Sequence, residues 1–193
     1  SNGPVAIKTN AAFNFDASVL SHGDLTLDSN KSMGLNFKQC EAGGQTHLKA
    51  VKRLGGLLFG LGAMSLQAES IELEKNAHLE SPASINLEAD QSLNLRPGSE
   101  LISEDSLQVK SPAIDVQAYL QGQSVDLQAA KELKIDTDAH VLVQNNLSIH
   151  SPQLLNKGLV QAGSGAWTVG SLSNNGGICF AGSWKLNSND LVN

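Results

Sequence analysis

The sequence predicts an all-β chain, a parallel right-handed β-helix (a β-solenoid) with about 20 residues and three short strands in each coil. Three observations predict this class. Short apolar–polar–apolar triplets such as Ile85-Asn86-Leu87 recur along the chain, and their period of two is typical of strands with one buried side. The triplets form three interleaved series with one common period. The last two segments, 156–174 and 175–193, align with each other without a gap.

The common period separates a solenoid from other all-β folds. The three series are Ile71, Leu93, Ile114, Leu133 and Leu154; Leu79, Leu101, Leu120, Val141 and Leu159; and Ile85, Leu107, Val125, Leu147 and Trp167. The first series has spacings of 22, 21, 19 and 21 residues. Segments between triplets are too short for helices, and the antiparallel hairpins of a β-sandwich, the alternative class, would not need a three-fold phase. The right-handed sense follows from the crossover rule for parallel strands.

The predicted coils do not look equally regular along the chain. Residues 1–37 are expected to form N-terminal strands or coils, and residues 67–193 regular coils that end in the two 19-residue repeats. The stretch 38–66 is Gly-rich and breaks the pattern, so we expect an irregular insertion packed on the solenoid. The insertion would make its contacts through Leu54, Leu57, Leu58, Phe59 and Leu61. A short helix could begin near Thr46 within this segment and end near Arg53. The alternatives to an insertion are a continued irregular coil and membrane insertion, for which the apolar part is too short to span.

The outward residue of each predicted strand defines three faces. The first face shows Glu72, Asn94, Asp115 and Lys134, with a salt bridge expected between the last two, and the third face shows Asn86, Gln108, Asp126 and Ser148. The second face differs, since an apolar ladder of Ile102, Tyr119, Leu142 and Val160 would line up there. We expect the insertion or a partner to cover this ladder; the alternative is a local register slip that turns some of these side chains inward. Trp167 is expected in the core, and Trp184 is the better surface candidate.

Composition and motifs argue against several function classes. A net charge of −6 with 4 % aromatic residues argues against nucleic-acid binding. No catalytic, phosphate-binding or metal-binding motif stands out, so we expect no enzymatic activity, no cofactor and no metal site. A carbohydrate-active enzyme on a β-helix is the weaker alternative, because it would need clustered carboxylates. Cys40 and Cys179 lie several coils apart, so no intrachain disulfide is expected.

The two C-terminal repeats carry a resemblance. Asn-x-Gly-(Leu/Ile), then Ala-Gly-Ser, an alternating strand and a closing Leu-x-Asn recur in 156–174 and 175–193. This pattern resembles the repeats of filamentous haemagglutinin-like exoproteins, which are two-partner-secreted or act in contact-dependent inhibition. The resemblance is specific over about 40 residues, rests on periodicity over 67–155 and is weak over 1–66.

The resemblance implies a secreted protein of the bacterial cell surface that passes through an outer-membrane transporter, in which a β-helix stalk displays adhesion modules or a toxin. We therefore expect a structural and adhesive segment from within a longer array, with neighbouring repeats of the same polypeptide as its first partners, and a role in virulence. The alternative is a dedicated module that binds a host or target-cell receptor or glycan through the insertion and the second face.

Overall fold

A computed structural model describes residues 3–192, and in this range the chain is built from strands and turns without a helix. The strands are β1 Val5–Thr9, β2 Phe13–Ser21, β3 Leu25–Ala42, β4 Thr46–Gly60, β5 Met64–Leu73, β6 His78–Ser81, β7 Ile85–Leu95, β8 Glu100–Ser103, β9 Ser106–Val116, β10 Tyr119–Ile135, β11 His140–Asn156, β12 Leu159–Asn174, β13 Gly177–Phe180 and β14 Trp184–Val192. The longer strands bend at a corner and continue onto the next face.

The pairing between strands is parallel and links each coil to the next. Ile85 pairs with Leu107, and Leu107 pairs with Val125, so one turn of the chain returns to the same place one strand spacing further along the axis. The chain makes about nine such turns of about 20 residues. The predicted β-solenoid with coils of about 20 residues is thereby confirmed.

Each face contributes columns of inward side chains to one continuous core. On the second face the central column is Val19, Cys40, Leu58, Leu79, Leu101, Leu120, Val141, Val160 and Ile178. From Cys40 to Val160 these side chains are at most 1 % exposed. Burying one such aliphatic side chain contributes about 1.5–3 kcal/mol, so the columns supply the main stabilisation of the rod.

Buried serine hydroxyls at the corners donate hydrogen bonds to backbone carbonyls near the bends. The hydroxyl of buried Ser103 donates to the carbonyl oxygens of Ala83 and Ser106, at 2.8 and 3.1 Å, and buried Ser81 donates to the carbonyl of Gly62 at 2.9 Å. A buried hydroxyl without a partner would cost about 1–3 kcal/mol, so these hydrogen bonds allow serine to occupy inward corner positions.

Residues 38–66 differ from the predicted insertion, because they continue the solenoid. β3 pairs with β4 and β4 pairs with β5 and β6, all in parallel. The apolar run 54–60, which suggested an insertion, ends one strand segment at Leu54, turns a corner at Gly56 and continues as a second segment from Leu57. Gly56 forms the corner with φ +79°, and a Cβ there would lie 1.7 Å from the carbonyl oxygen of Phe37. The glycines therefore allow a tight corner, and the predicted helix from Thr46 is absent from this segment.

The predicted outward ladders of the first and third faces match the strand register. Glu72, Asn94, Asp115 and Lys134 are successive partners, and so are Asn86, Gln108, Asp126 and Ser148. The prediction that Lys134 forms a salt bridge with Asp115 is wrong. The Lys134 Nζ atom lies 2.8 Å from Oε1 of Glu132 instead. This hydrogen bond is the main cause that raises the pKa of Lys134 above its usual value.

Candidate functional site

The second face is the surface whose outward residues differ most from ordinary solvated positions. The strand segment that each coil contributes to this face is about four residues long and presents two outward side chains, and these form two parallel columns along the axis. Column A contains Ser18, Gln39, Leu57, His78, Glu100, Tyr119, His140, Leu159 and Gly177. Column B contains Leu20, Glu41, Phe59, Glu80, Ile102, Gln121, Leu142, Gln161 and Cys179.

Over four successive strands of this face, β8, β10, β11 and β12, apolar and polar side chains exchange columns at every step. We call these eight residues the chequerboard. Its apolar members are Ile102, Tyr119, Leu142 and Leu159, and its polar members are Glu100, Gln121, His140 and Gln161. Every strand carries one of each kind. Because adjacent strands lie about 4.8 Å apart, the pattern repeats along the axis every two strands, or about 9.6 Å.

The predicted apolar ladder is therefore wrong as a single line of four residues. Ile102 and Leu142 share column B, whereas Tyr119 lies on column A. Val160 points inward and is 0 % exposed, and Leu159 takes the outward position that was predicted for Val160. The cause is a register slip. The two C-terminal repeats are offset by 19 residues where Gly165 pairs with Trp184, but by 18 where Val160 pairs with Ile178, so an alignment without a gap misplaces this strand by one residue.

A histidine links two glutamates next to the chequerboard. The Nδ1 atom of His78 lies 2.8 Å from Glu100 Oε2, and its Nε2 atom lies 2.9 Å from Glu80 Oε2. The Phe59 ring packs on the imidazole, with 5.2 Å between ring centroids. A protonated imidazolium donates to both carboxylates at once, whereas the neutral ring donates to only one. The contact with Glu100 ties β6 to β8, the contact with Glu80 lies within β6, and the Phe59 ring joins the neighbouring β4 to the cluster.

Tyr119 lies along the sheet. Its hydroxyl donates to Gln121 Oε1 at 2.6 Å, and Gln121 is the next outward residue of the same strand. This hydrogen bond directs the ring along the strand, from column A towards column B. The ring is half-buried, so one side is covered by the sheet and the other is available for contact.

The residues expected to make insertion contacts divide between core and surface. Leu54 and Leu58 are buried in inward columns. Leu57 and Phe59 point outward on the second face, where Leu57 is 38 % exposed, and Leu61 lies at a corner and is 71 % exposed. They do not cover the chequerboard, which is open to solvent on its outer side.

Trp184 is 40 % exposed, yet it occupies an inward position, since it pairs with Gly165. It stacks on Phe180 with ring centroids 5.1 Å apart and contacts the buried Trp167 edge-on at 5.4 Å. Gly165 leaves the room for this cluster, because a Cβ there would lie 2.5 Å from the Phe180 ring. Trp167 is in the core as predicted, and Trp184 extends that aromatic core rather than forming a separate surface site.

A groove follows the corner between the third and first faces. One depression of about 550 Å³ lies between Lys31, Lys52 and Gln91, and another of about 440 Å³ lies beside Lys110 and His150. Some of its polar groups pair with one another: Gln91 donates to Glu69 at 2.5 Å, and Lys110 to Glu88 at 2.9 Å. The bond to Glu88 is the main cause that raises the pKa of Lys110.

The remaining chemistry is sparse over residues 3–192. In this range no three His, Cys, Asp or Glu side chains are placed to hold a metal ion, and no helix is long and apolar enough to cross a membrane. Both cysteines are free thiols. Cys40 is buried on the second coil, whereas Cys179 is exposed on column B seven strands further along, about 34 Å away at 4.8 Å per strand.

Comparisons with protein-family models, with curated proteins and with solved structures find no match to this chain. The sequence signal that could have located the chequerboard is the alternation of outward residues, which needs the correct register of each strand. Tyr119 could be found this way, because it directly precedes the inward Leu120. Leu159 could not, because the repeat alignment placed it inside.

Proposed function

We propose that this chain is a structural and adhesive β-solenoid segment of a secreted bacterial surface protein, which holds other modules away from the cell. The observation that carries the proposal is the unbroken parallel pairing of about nine turns around one apolar core. A chain that contacts mainly its own neighbouring coils is suited to act as a spacer, because its length follows from the number of coils and not from a particular closed shape.

The surface chemistry supports a non-catalytic role. Glu80 and Glu100 are the paired carboxylates on the most distinctive face, and both are bound to His78. A general acid and base pair needs at least one carboxyl free to reach a substrate proton. The resemblance of 156–193 to filamentous haemagglutinin-like repeats supports secretion through an outer-membrane transporter and a location at the cell surface.

The test is a fusion that asks this chain to serve as the stalk. The chain is placed between the secretion domain of a filamentous haemagglutinin-like exoprotein and an epitope, in cells that carry the matching transporter. We expect the epitope to be exposed to antibody and to added protease outside the cell, and the displaying cells to adhere to host cells more than cells with the secretion domain alone.

The matched control places aspartate at Leu101 and Leu120, which interrupts the inward column of the second face. Retention of the unaltered fusion inside the cell would overturn the secretion part of the proposal. Display without any gain in adhesion would overturn the adhesive part. Equal display of the control variant would show that the folded rod is not needed.

A further inference from the structure

We infer that the chequerboard binds an extended, uncharged, β-1,4-linked polysaccharide that lies along the rod axis, with one sugar ring over each strand. This binding function does not depend on the proposed stalk role, since a rod can act as a spacer with or without a ligand on one face. The inference rests on the symmetry of the chequerboard, on its charge and on the chemistry of its side chains.

The chequerboard has the symmetry of a two-fold screw axis along the rod. Moving one strand along the axis exchanges the apolar and the polar side, as in the step from Ile102 and Glu100 to Gln121 and Tyr119. In an extended β-1,4-linked polysaccharide each sugar is likewise turned by about half a turn relative to the previous one, so equivalent groups recur on the same side every second ring. The rise of one such sugar is similar to the spacing of adjacent strands, so both patterns stay in step.

The charge of the face favours an uncharged ligand. From β6 to β13 the outward positions of columns A and B contain no Lys or Arg among the described residues. Glu80 and Glu100 lie on this stretch and bind His78. An anionic polymer would meet these carboxylates with no Lys or Arg beside them on the face, and such like-charge contacts oppose binding.

The side chains supply the two kinds of contact that a sugar ring requires. The C–H groups of a pyranose pack on aromatic and aliphatic surfaces, for which Tyr119 offers a ring held along the sheet and Leu142 offers a side chain 37 % exposed. Hydroxyl groups need donors and acceptors, which the exposed Gln161 and His140 provide at the alternate positions. Parallel pairing on both sides fixes the strands, so the site is formed before the ligand arrives.

A protein partner fits this face less well. Stable protein interfaces have an apolar core surrounded by a polar rim. Within the chequerboard no two apolar residues are direct partners in the same column, so each apolar side chain has polar partners on the adjacent strands. The alternating arrangement matches a ligand that itself alternates.

The test is calorimetric titration of the purified chain with four hexasaccharide-sized probes. These are the β-1,4-linked hexamers of N-acetylglucosamine and of glucose, the α-1,4-linked hexamer of glucose, and a sulfated heparin fragment. We expect saturable binding of at least one β-1,4-linked probe and none of the α-linked or sulfated probes.

Two variants locate the site, and a third is the control. Tyr119→Ser and Leu142→Ser should each weaken binding by about tenfold or more, because they remove a stacking surface. Tyr119→Phe keeps the ring and should bind within a few-fold of the original chain. Gln108→Ala changes an exposed residue of the third face and should leave binding unchanged. Circular dichroism and the unfolding midpoint confirm that each variant keeps its fold.

Several results would overturn the inference. Absence of binding by both β-linked probes rejects the ligand class. Equal binding of the α-linked probe rejects the symmetry argument, and preference for the heparin fragment rejects the charge argument. Binding that survives both serine variants places the ligand elsewhere, for example in the corner groove. A dimer that Tyr119→Ser dissociates, in the absence of sugar binding, would assign the face to a second copy of the chain.

Discussion

Truncation of Val160 and of Leu159 should give stability losses in the reverse of the usual order. A leucine normally loses more than a valine on truncation to alanine, because more apolar surface is removed. In this rod Val160 is 0 % exposed in the central column, between Val141 and Ile178, whereas Leu159 is half-buried on the outer side. The pair of variants therefore tests the direction of each side chain in this strand.

The magnitudes follow from burial. Val160→Ala removes two methyl groups from a closed column, which costs about 1.6 kcal/mol in transfer free energy. The cavity left behind brings the loss to about 2–2.5 kcal/mol. Leu159→Ala removes contacts on a surface that remains partly wet, so its cost should be about 0.5–1 kcal/mol. Val160→Thr keeps the shape but buries a hydroxyl, and it should also cost about 1–3 kcal/mol.

The assay is urea unfolding followed by far-ultraviolet circular dichroism, with the slope and midpoint fitted for each variant. Similar slopes show that the variants unfold through the same transition, so that the midpoints report stability. A larger loss for Leu159→Ala than for Val160→Ala would refute the register described for β12. It would restore the alignment in which Leu159 lies over Ile178.

Three further predictions concern the backbone, the thiols and the repeat. Gly56→Ala should lower the melting temperature clearly, because φ is +79° and the new Cβ would lie 1.7 Å from the Phe37 carbonyl oxygen. The control Gly3→Ala has open space around the new Cβ and should leave the melting temperature unchanged. Equal melting temperatures of the two variants would contradict the corner geometry. Cys179 should react with a thiol reagent in the folded chain and Cys40 only in urea. Burial raises the pKa of Cys40 from 9.0 to about 12, so the thiol ionises in the unfolded chain first and the free energy of unfolding should fall by about 1.4 kcal/mol per pH unit between those values. Cys40→Ala should remove that part of the slope, and an unchanged slope would show that other groups cause it. Deletion of 85–106 removes one full coil and lets Leu107 take the place of Ile85 beside Met64, so a shorter rod should still fold cooperatively. Deletion of 85–95 removes about half a coil and should prevent cooperative folding. If only the variant without 85–95 folded, the coil period would be contradicted.

The architecture could be predicted from the sequence because every coil repeats the same pattern of inward apolar and outward polar residues. Leu93 and Ile114 lie in the predicted series, and the structure pairs them directly. A period repeated this often tolerates errors in a single strand. The side that one residue faces has no such redundancy, since a shift of one residue exchanges inside and outside.

The segment 38–66 shows why composition alone misled the division of the chain. Gly60 is buried, and a Cβ there would lie 2.8 Å from the end of the Met64 side chain and 3.3 Å from the Thr46 hydroxyl, so a larger residue would have to displace them. Gly56 serves a corner. Both needs depend on the neighbouring coil, which the local sequence does not reveal, so a run of glycines and leucines resembled an insertion.

The candidate site was only partly predictable for the same reason. The unusual character of the second face was visible in Ile102, Tyr119 and Leu142. The link from His78 to Glu80 and Glu100 was not, because it joins residues that are 2 and 22 positions apart and depends on which column each one occupies. Contacts of this kind need the coil register to one residue.

The regular coil length has a consequence for the way the chain folds. Each new coil closes a loop of about 20 residues onto the coil before it, and the entropy cost of that closure is about 3 kcal/mol whether it is an early coil or a late one. The gain from pairing and from filling the columns is also similar at each step. Once a first pair of coils has formed, growth should proceed like a zipper, with an elongation rate that does not decrease as the rod lengthens. A longer array built in this way would take more time to complete in proportion to its number of coils, but it would face its main kinetic barrier only once.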